Sequence, residues 1–151
     1  MSHIPLEDVE ELRRLTVRYM THLDRFNVSA LLELFTEDVV WDGSAVGHGR
    51  HEGIGNLMNF FMRGQPGQPM PERGAHIVAN HLVESIEEDC ARGTCYFFGQ
   101  SYYPDRGIEV EAGIYLDEYT RQDDRWRFSS RLLTPLIPAR FHAVGTPGER
   151  S

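Results

Sequence analysis

The apolar positions of this chain change their period about halfway along it. Val9, Leu12, Leu15, Tyr19 and Leu23 recur three or four residues apart, the spacing of one helix face. That spacing predicts an amphipathic helix over about residues 6–24. Asn27 is placed to N-cap a second, short helix carrying Leu31, Leu32, Leu34 and Phe35. Asp38 to Asp42 (DVVWD) reads as a strand, and residues 43–53 as a turn rich in Gly and His. Ile54, Leu57, Met58, Phe60 and Phe61 mark a third helix, and three prolines make residues 64–73 a loop.

From residue 75 onward the period is two. Residues 75–87, 94–103, 108–121 and 125–134 read as four strands. In the third of them Ile108, Val110, Ala112, Ile114 and Leu116 alternate with Glu109, Glu111, Gly113, Tyr115 and Asp117. The links at Glu88–Asp89, Pro104–Gly107 and Asp123–Asp124 are short and polar, so the strands pair as antiparallel hairpins. Helices first and strands later predict an α+β fold, one domain spanning residues 1–151. From about residue 135 the tail is predicted to be irregular. It keeps Leu136, Ile137, Phe141 and Val144 between Pro135, Pro138 and Pro147. A stiffened apolar segment of that kind is expected to close an apolar mouth or to patch a subunit contact.

Composition narrows the function classes. A chain of 151 residues that is 40% hydrophobic and 25% charged builds one ordinary core. A formal net charge of −8 argues against a nucleic-acid footprint. No apolar run approaches the ~20 residues of a membrane span. The acidic start, Met1 to Glu11, lacks the basic and apolar regions of a secretion signal, so a cytoplasmic location is expected. All fifteen basic residues are Arg, which excludes chemistry that needs Lys: Schiff bases, a covalent pyridoxal phosphate site and a Walker P-loop. Cys90 and Cys95 make neither a disulfide framework nor a zinc spacing. His48 and His51 stand in a Gly-rich turn without a third ligand at suitable spacing, so no metal site is expected. The glycines at 43, 47, 49, 53 and 55 form no dinucleotide fingerprint.

The candidate chemistry begins with Asp24. It falls at the end of the first predicted helix, where the negative end of the dipole disfavours a carboxylate by roughly 0.3–1 kcal/mol. A residue that breaks a local rule in this way often serves a site. A histidine would offset the charge and make a proton-transfer pair with it. In a regular strand His76 shares a face with Val78, Asn80 and Leu82, and His81 shares the other with Ile77, Ala79 and Val83. His81 is therefore expected on the far side or at a subunit contact. Tyr19 and Asp24 stand about 140° apart around an ideal helix, so they meet in one cavity only if the helix loosens near Asp24. Arg131 follows Trp126 by five and falls on the opposite face, with Arg127, Ser129 and Leu133. There it reads either as a stabiliser of a developing anion or as a solvated edge charge.

The order helix, helix, strand, helix and four strands resembles the NTF2-like cone, in its SnoaL-like and scytalone-dehydratase-like branch. The resemblance is carried by residues 15–41 (LTVRYMTHLDRFNVSALLELFTEDVVW), 75–98 (AHIVANHLVESIEEDCARGTCYFF) and 115–131 (YLDEYTRQDDRWRFSSR). It implies a curved, mainly antiparallel sheet wrapped around the N-terminal helices, with an apolar pocket at the open end. In eliminating enzymes of this group an Asp near the end of the first helix and a His early in the next long strand form the catalytic dyad. By position these fall on Asp24 and His76. A Tyr or Lys five residues before that Asp falls on Tyr19, and an Arg late in the last strand falls on Arg131. Asn80, Trp41, Phe61 and Phe141 are the expected substrate contacts. A second His used by scytalone dehydratase has no partner here, because His81 is out of phase.

The implied activity is a cofactor-independent, metal-free, dehydratase-like elimination on a small cyclic hydrophobic substrate. An isomerase or a polyketide cyclase uses the same proton abstraction. A non-catalytic ligand carrier, or a subunit like the small subunits of ring-hydroxylating dioxygenases, is the reading from another class. Related cones use the outer sheet face as a subunit contact. Tyr96, Phe97, Phe98, Tyr102, Tyr103, Tyr115 and Tyr119 exceed what one core needs, so a homo-oligomer is expected, trimer before dimer.

Overall fold

A computed structural model describes residues 4–64 and 66–137, and the main chain of 141–142. Helix α1 runs over Leu6–Asp24, and helix α2 over Val28–Leu32. Strand β1 follows at Phe35–Gly43, strand β2 at Gly49–Glu52, and helix α3 at Ile54–Arg63. The long strands are β3 (Arg73–Glu87), β4 (Cys90–Tyr103), β5 (Gly107–Gln122) and β6 (Arg125–Pro135). A short β7, Phe141–His142, ends the described chain.

The helix boundaries have local causes. Glu7 and Asp8 in the first turn of α1 suit the positive end of its dipole. The Asn27 side chain accepts a hydrogen bond from the Ala30 amide at 3.2 Å and starts α2. Gly64, at φ +67° and ψ −166°, takes a backbone conformation open essentially to glycine alone and ends α3. Leu34 and Phe35, assigned above to the second helix, lie beyond it, and Phe35 opens β1. The Gly- and His-rich turn contains a 3-10 turn at Ser44–Val46 and then β2, which pairs with β1.

The sheet order is β2-β1-β6-β5-β4-β3, with β7 against β5. Every pair is antiparallel except β1 with β6. Both Asp123 and Asp124 have positive φ, as a two-residue hairpin turn of matching twist requires. Past Pro135, β7 takes over from β6 along β5, pairing Val110 with Phe141. The remainder of the tail, to which a closing or interface role was assigned above, lies outside the described residues.

The concave face of this sheet closes over α1. Leu12, Leu15, Tyr19 and Met20 of α1 join Phe35, Trp41, Phe61, Tyr115, Phe128 and Leu133 in the core. Strict alternation splits the aromatic surplus. Phe97, Tyr103, Tyr115 and Tyr119 point inward and are buried, while Tyr96, Phe98 and Tyr102 stand on the outer face. On that face they neighbour Ile77, Ile108 and Leu116, all exposed. In β5 the buried set is Glu109, Gly113, Tyr115, Asp117 and Tyr119, and the Ile and Leu side chains face out. Among the described residues no helix is long and apolar enough to cross a membrane.

Candidate active site

Helix α1 is fastened at both ends. Near its start, Asp8 accepts hydrogen bonds from Trp126 Nε1 at 2.9 Å and from Arg121 at 2.6 Å, and Glu11 accepts one from the Trp126 amide. These contacts tie the helix to the β5–β6 hairpin. At its other end Asp24 reaches β3. Its Oδ1 lies 2.6 Å from His76 Nδ1, and its Oδ2 accepts the His76 amide at 3.0 Å. The pairing removes the electrostatic misfit of a carboxylate at a helix C-terminus.

A carboxylate at Nδ1 makes that nitrogen the donor, so Nε2 carries the free lone pair. The His76 side chain is 17% exposed and lines a cavity of about 150 Å³. That is the size of an apolar void that holds one benzene, roughly 150 Å³. Tyr19, Trp41, Phe60, Phe61, Phe97 and Leu133 supply apolar wall. Tyr19 and Asp24 both line it, although they point about 140° apart on an ideal helix. No loosening of α1 is needed: the cavity lies across the end of the helix, so His22 and Leu23 line it too.

Tyr19 is 1% exposed, and its hydroxyl accepts a hydrogen bond from Trp41 Nε1 at 3.2 Å. Burial pushes its phenol above the ordinary range despite the nearby Arg131, and burial pushes Tyr115 well above it. Both are neutral phenols, suited to donating a hydrogen bond rather than to taking a proton.

Two expected site residues stand elsewhere. Asn80 is exposed on the outer face. Its φ of +49° marks a β-bulge, with one extra β3 residue between the pairs Ala79–Tyr96 and Leu82–Thr94. The bulge reverses the alternation, so His81 and Val83 follow His76 and Val78 onto the inner side. His81 Nε2 lies 3.3 Å from the Tyr119 hydroxyl, and burial holds its imidazole below the ordinary range.

The second displaced residue is Arg131. A bulge at Ser129, between the pairs Tyr119–Phe128 and Glu118–Ser130, puts Arg131 on the same inner face as Trp126 and Phe128. Arg131 is fully buried and gives two 2.8 Å hydrogen bonds to Asp117. Its guanidinium carbon stands 4.3, 3.9 and 4.0 Å from the ring centres of Tyr19, Tyr115 and Phe128. Burial opposes its charge, but Asp117 overrides burial and holds the guanidinium above its usual range. Arg131 is not among the residues lining the cavity; it props the rings that are. The Phe141 side chain lies outside the described residues.

Sequence reasoning missed several cavity residues. His48 faces Glu111, with its Nε2 3.1 Å from the nearer carboxylate oxygen. Glu109 also lines the cavity and is paired with Arg106 at 2.9 Å. The 108–116 alternation carries Glu109 and Glu111 on its polar face, which the fold turns inward. Among the described residues no group of three or more His, Cys, Asp or Glu is placed to hold a metal ion.

The cone-shaped α+β fold is the architecture of a known family. The SnoaL-like domain model matches residues 5–132, and the chain belongs to that family. Solved structures agree. A proposed aromatic ring hydroxylase from Novosphingobium aromaticivorans is 27% identical, with TM-score 0.82 over 90% of this chain and 94% of that one. A proposed scytalone dehydratase from the same organism is 19% identical, with TM-score 0.77 over 97% and 96%. The type 3 hexachlorocyclohexane dehydrochlorinase of Novosphingobium barchaimii is 17% identical, with TM-score 0.78 over 93% and 94%. The last two share the fold. No curated protein matches the sequence.

Proposed function

We infer that the protein is a cofactor-independent lyase of dehydratase type, acting on a small, cyclic, hydrophobic substrate. One observation carries the reading: Asp24 and His76 pair at 2.6 Å on the wall of a ring-sized, mainly apolar cavity. His76 Nε2 takes a proton from a carbon next to a carbonyl, and Asp24 stabilises the imidazolium. The C–H electron pair becomes the new double bond as the β C–O bond breaks. The oxygen leaves as water, carrying the proton that the imidazolium returns. Tyr19, a neutral phenol in the wall, donates a hydrogen bond to the carbonyl oxygen. Isomerisation and cyclisation begin with the same abstraction.

The test is a panel of cyclic β-hydroxyketones, followed by the ultraviolet absorbance of the conjugated enone. Enone formation by the wild type, lost in His76→Ala, supports the reading. Activity that survives His76→Ala overturns it.

A second reading is favoured by the outer face of β3, β4 and β5, where Ile77, Tyr96, Phe98, Tyr102, Ile108 and Leu116 are exposed together. A contiguous apolar face of that kind suits a subunit contact. It fits a homo-oligomer, trimer before dimer, whether the protein is an enzyme or a binding or assembly subunit like those of ring-hydroxylating dioxygenases.

A further inference from the structure

The cavity holds a second histidine–carboxylate pair that the elimination leaves unused. Across the concave face the strand register sets His76, Gly99 and Glu111 side by side. Neighbouring strands lie ~4.8 Å apart, so the His76 and Glu111 main chains are roughly 10 Å apart. Gly99, between them, offers no side chain. A Cβ there would stand 2.5 Å from His76 Cδ2 and 2.9 Å from Nε2, so this edge of the imidazole lies directly over Gly99. Beyond it stands the Glu111 carboxylate. His48 reaches Glu111 from the turn before β2, its Nε2 3.1 Å from one oxygen and 3.3 Å from the other. The two side chains are 25% and 20% exposed. Trp41 and Phe60 back the His48 ring with centroids 6.3 and 5.9 Å away.

The charges around this gap have one sign. Asp24, Glu109 and Glu111 all line the cavity, and no Arg is among the described lining residues. Arg106 answers Glu109 and lies over the Tyr103 ring. An anionic ligand would meet carboxylates with no lining guanidinium to pair with, and an unpaired charge is expensive to bury. A neutral hydroxyl is in the opposite position. A carboxylate has about four lone-pair sites, and one His48 N–H leaves Glu111 with acceptor capacity for a ligand O–H. A bond from a hydroxyl to an ionised, shielded acceptor is of the stronger kind.

We propose that Glu111, held by His48, is the specificity-determining group of the cavity and selects an uncharged ring bearing a hydroxyl opposite the carbonyl whose neighbouring carbon faces His76. The position of the reacting carbon rests on the proton-abstraction reading above; the preference for a neutral hydroxylated ring does not. The two poles, Asp24–His76 and Glu111–His48, then hold one ring between them over Gly99.

The experiment uses the full-length protein, labelled with ¹⁵N in its histidines, and three probes of one ring size: cyclohexanone, 4-hydroxycyclohexanone and cyclohexanecarboxylate. Binding is followed by nuclear magnetic resonance of the imidazole nitrogens. The hydroxylated ketone should shift both His76 and His48 and bind roughly tenfold tighter than cyclohexanone, the worth of one charge-assisted hydrogen bond. Cyclohexanone should shift His76 and leave His48 nearly still. Cyclohexanecarboxylate should not displace either. Glu111→Leu should abolish the preference for the hydroxyl while the His76 shift persists. Glu111→Gln, which keeps the shape and gives up the charge, should reduce the preference.

Equal affinity for the two ketones, a His48 signal unmoved by the hydroxylated one, or competitive binding of the carboxylate overturns the proposal. A hydroxyl preference in a protein that forms no enone would retain this inference and sink the lyase reading.

Discussion

Asp24 holds His76 twice, accepting from its ring at 2.6 Å and from its main-chain amide at 3.0 Å. The second bond anchors the backbone of β3 to the end of α1, so the ring has little freedom to leave the carboxylate. Orientation and charge are supplied by one residue. Asp24→Asn should therefore keep the fold and much of the geometry but lose imidazolium stabilisation. Its turnover should fall by orders of magnitude, within the ~10²–10⁴-fold that general acid–base groups contribute. His76→Ala should fall at least as far. Steady-state kinetics on any active hydroxyketone checks both, and an Asp24→Asn enzyme within threefold of the wild type, roughly 0.6 kcal/mol, would separate Asp24 from the chemistry.

Gly99→Ala should displace the His76 ring. The added methyl would stand 2.5 Å from Cδ2, far inside van der Waals contact. The expected outcome is a loss of turnover close to that of His76→Ala, with thermal stability nearly unchanged. The His76 imidazole nitrogen signals should move in the free protein. An active Gly99→Ala variant with unshifted signals would show that the ring has room.

The Asp117–Arg131 pair is fully shielded, at 0% exposure on both sides. Removing one partner leaves the other charge buried alone, at a cost of about 3–5 kcal/mol. Asp117→Leu and Arg131→Met should each show this in urea unfolding. The double variant should cost much less than the two together, because no lone charge remains. Additive losses would mean that the ring packing around Arg131, rather than its charge, is what matters.

Folding stability should depend on pH through His81. Burial lowers its affinity for a proton, Arg131 and Arg13 act in the same direction, and Asp117 opposes them. The unfolded chain, with an ordinary histidine near 6.5, binds the proton more readily than the native state does. His81 thus contributes stability that is complete above about pH 6.5 and is withdrawn as pH falls through the lower native value. The melting temperature should drop between pH 7 and pH 5, and His81→Gln should flatten that drop. An identical profile in the variant would rule His81 out as its source.

The outer sheet face should mediate self-association. Light scattering at micromolar concentration should report an oligomer, with a trimer expected. Phe98→Arg combined with Ile108→Arg should give a monomer that still binds ring ketones. A monomeric wild type would leave the exposed aromatics of β4 without this role.

Much of this protein is legible in its sequence. Helical spacing from Val9 to Leu23 located α1, and the misplaced acid at its end marked Asp24. Period two after residue 75 located β3 to β6, because alternation is a local property of each strand. The family resemblance pointed to His76, but the 52-residue separation of the pair is closed only by packing α1 across β3. Tertiary structure decided the rest. Single extra residues at Asn80 and Ser129 reverse the phase of their strands. They send Asn80 to solvent and bring His81 and Arg131 inside, and a bulge depends on the partner strand as much as on its own sequence. The faces of β5 were decided the same way. Local hydrophobicity would turn Ile108, Ile114 and Leu116 inward. The folded chain instead buries Glu109, Tyr115, Asp117 and Tyr119, since Arg106 of the adjoining turn answers Glu109, while Arg131 and α1 arrive from elsewhere to answer Asp117 and cover the rings. Within an unbroken stretch of strand, periodicity specifies which residues share a face; only the partners brought by the fold decide where that stretch is broken and which face is the inside.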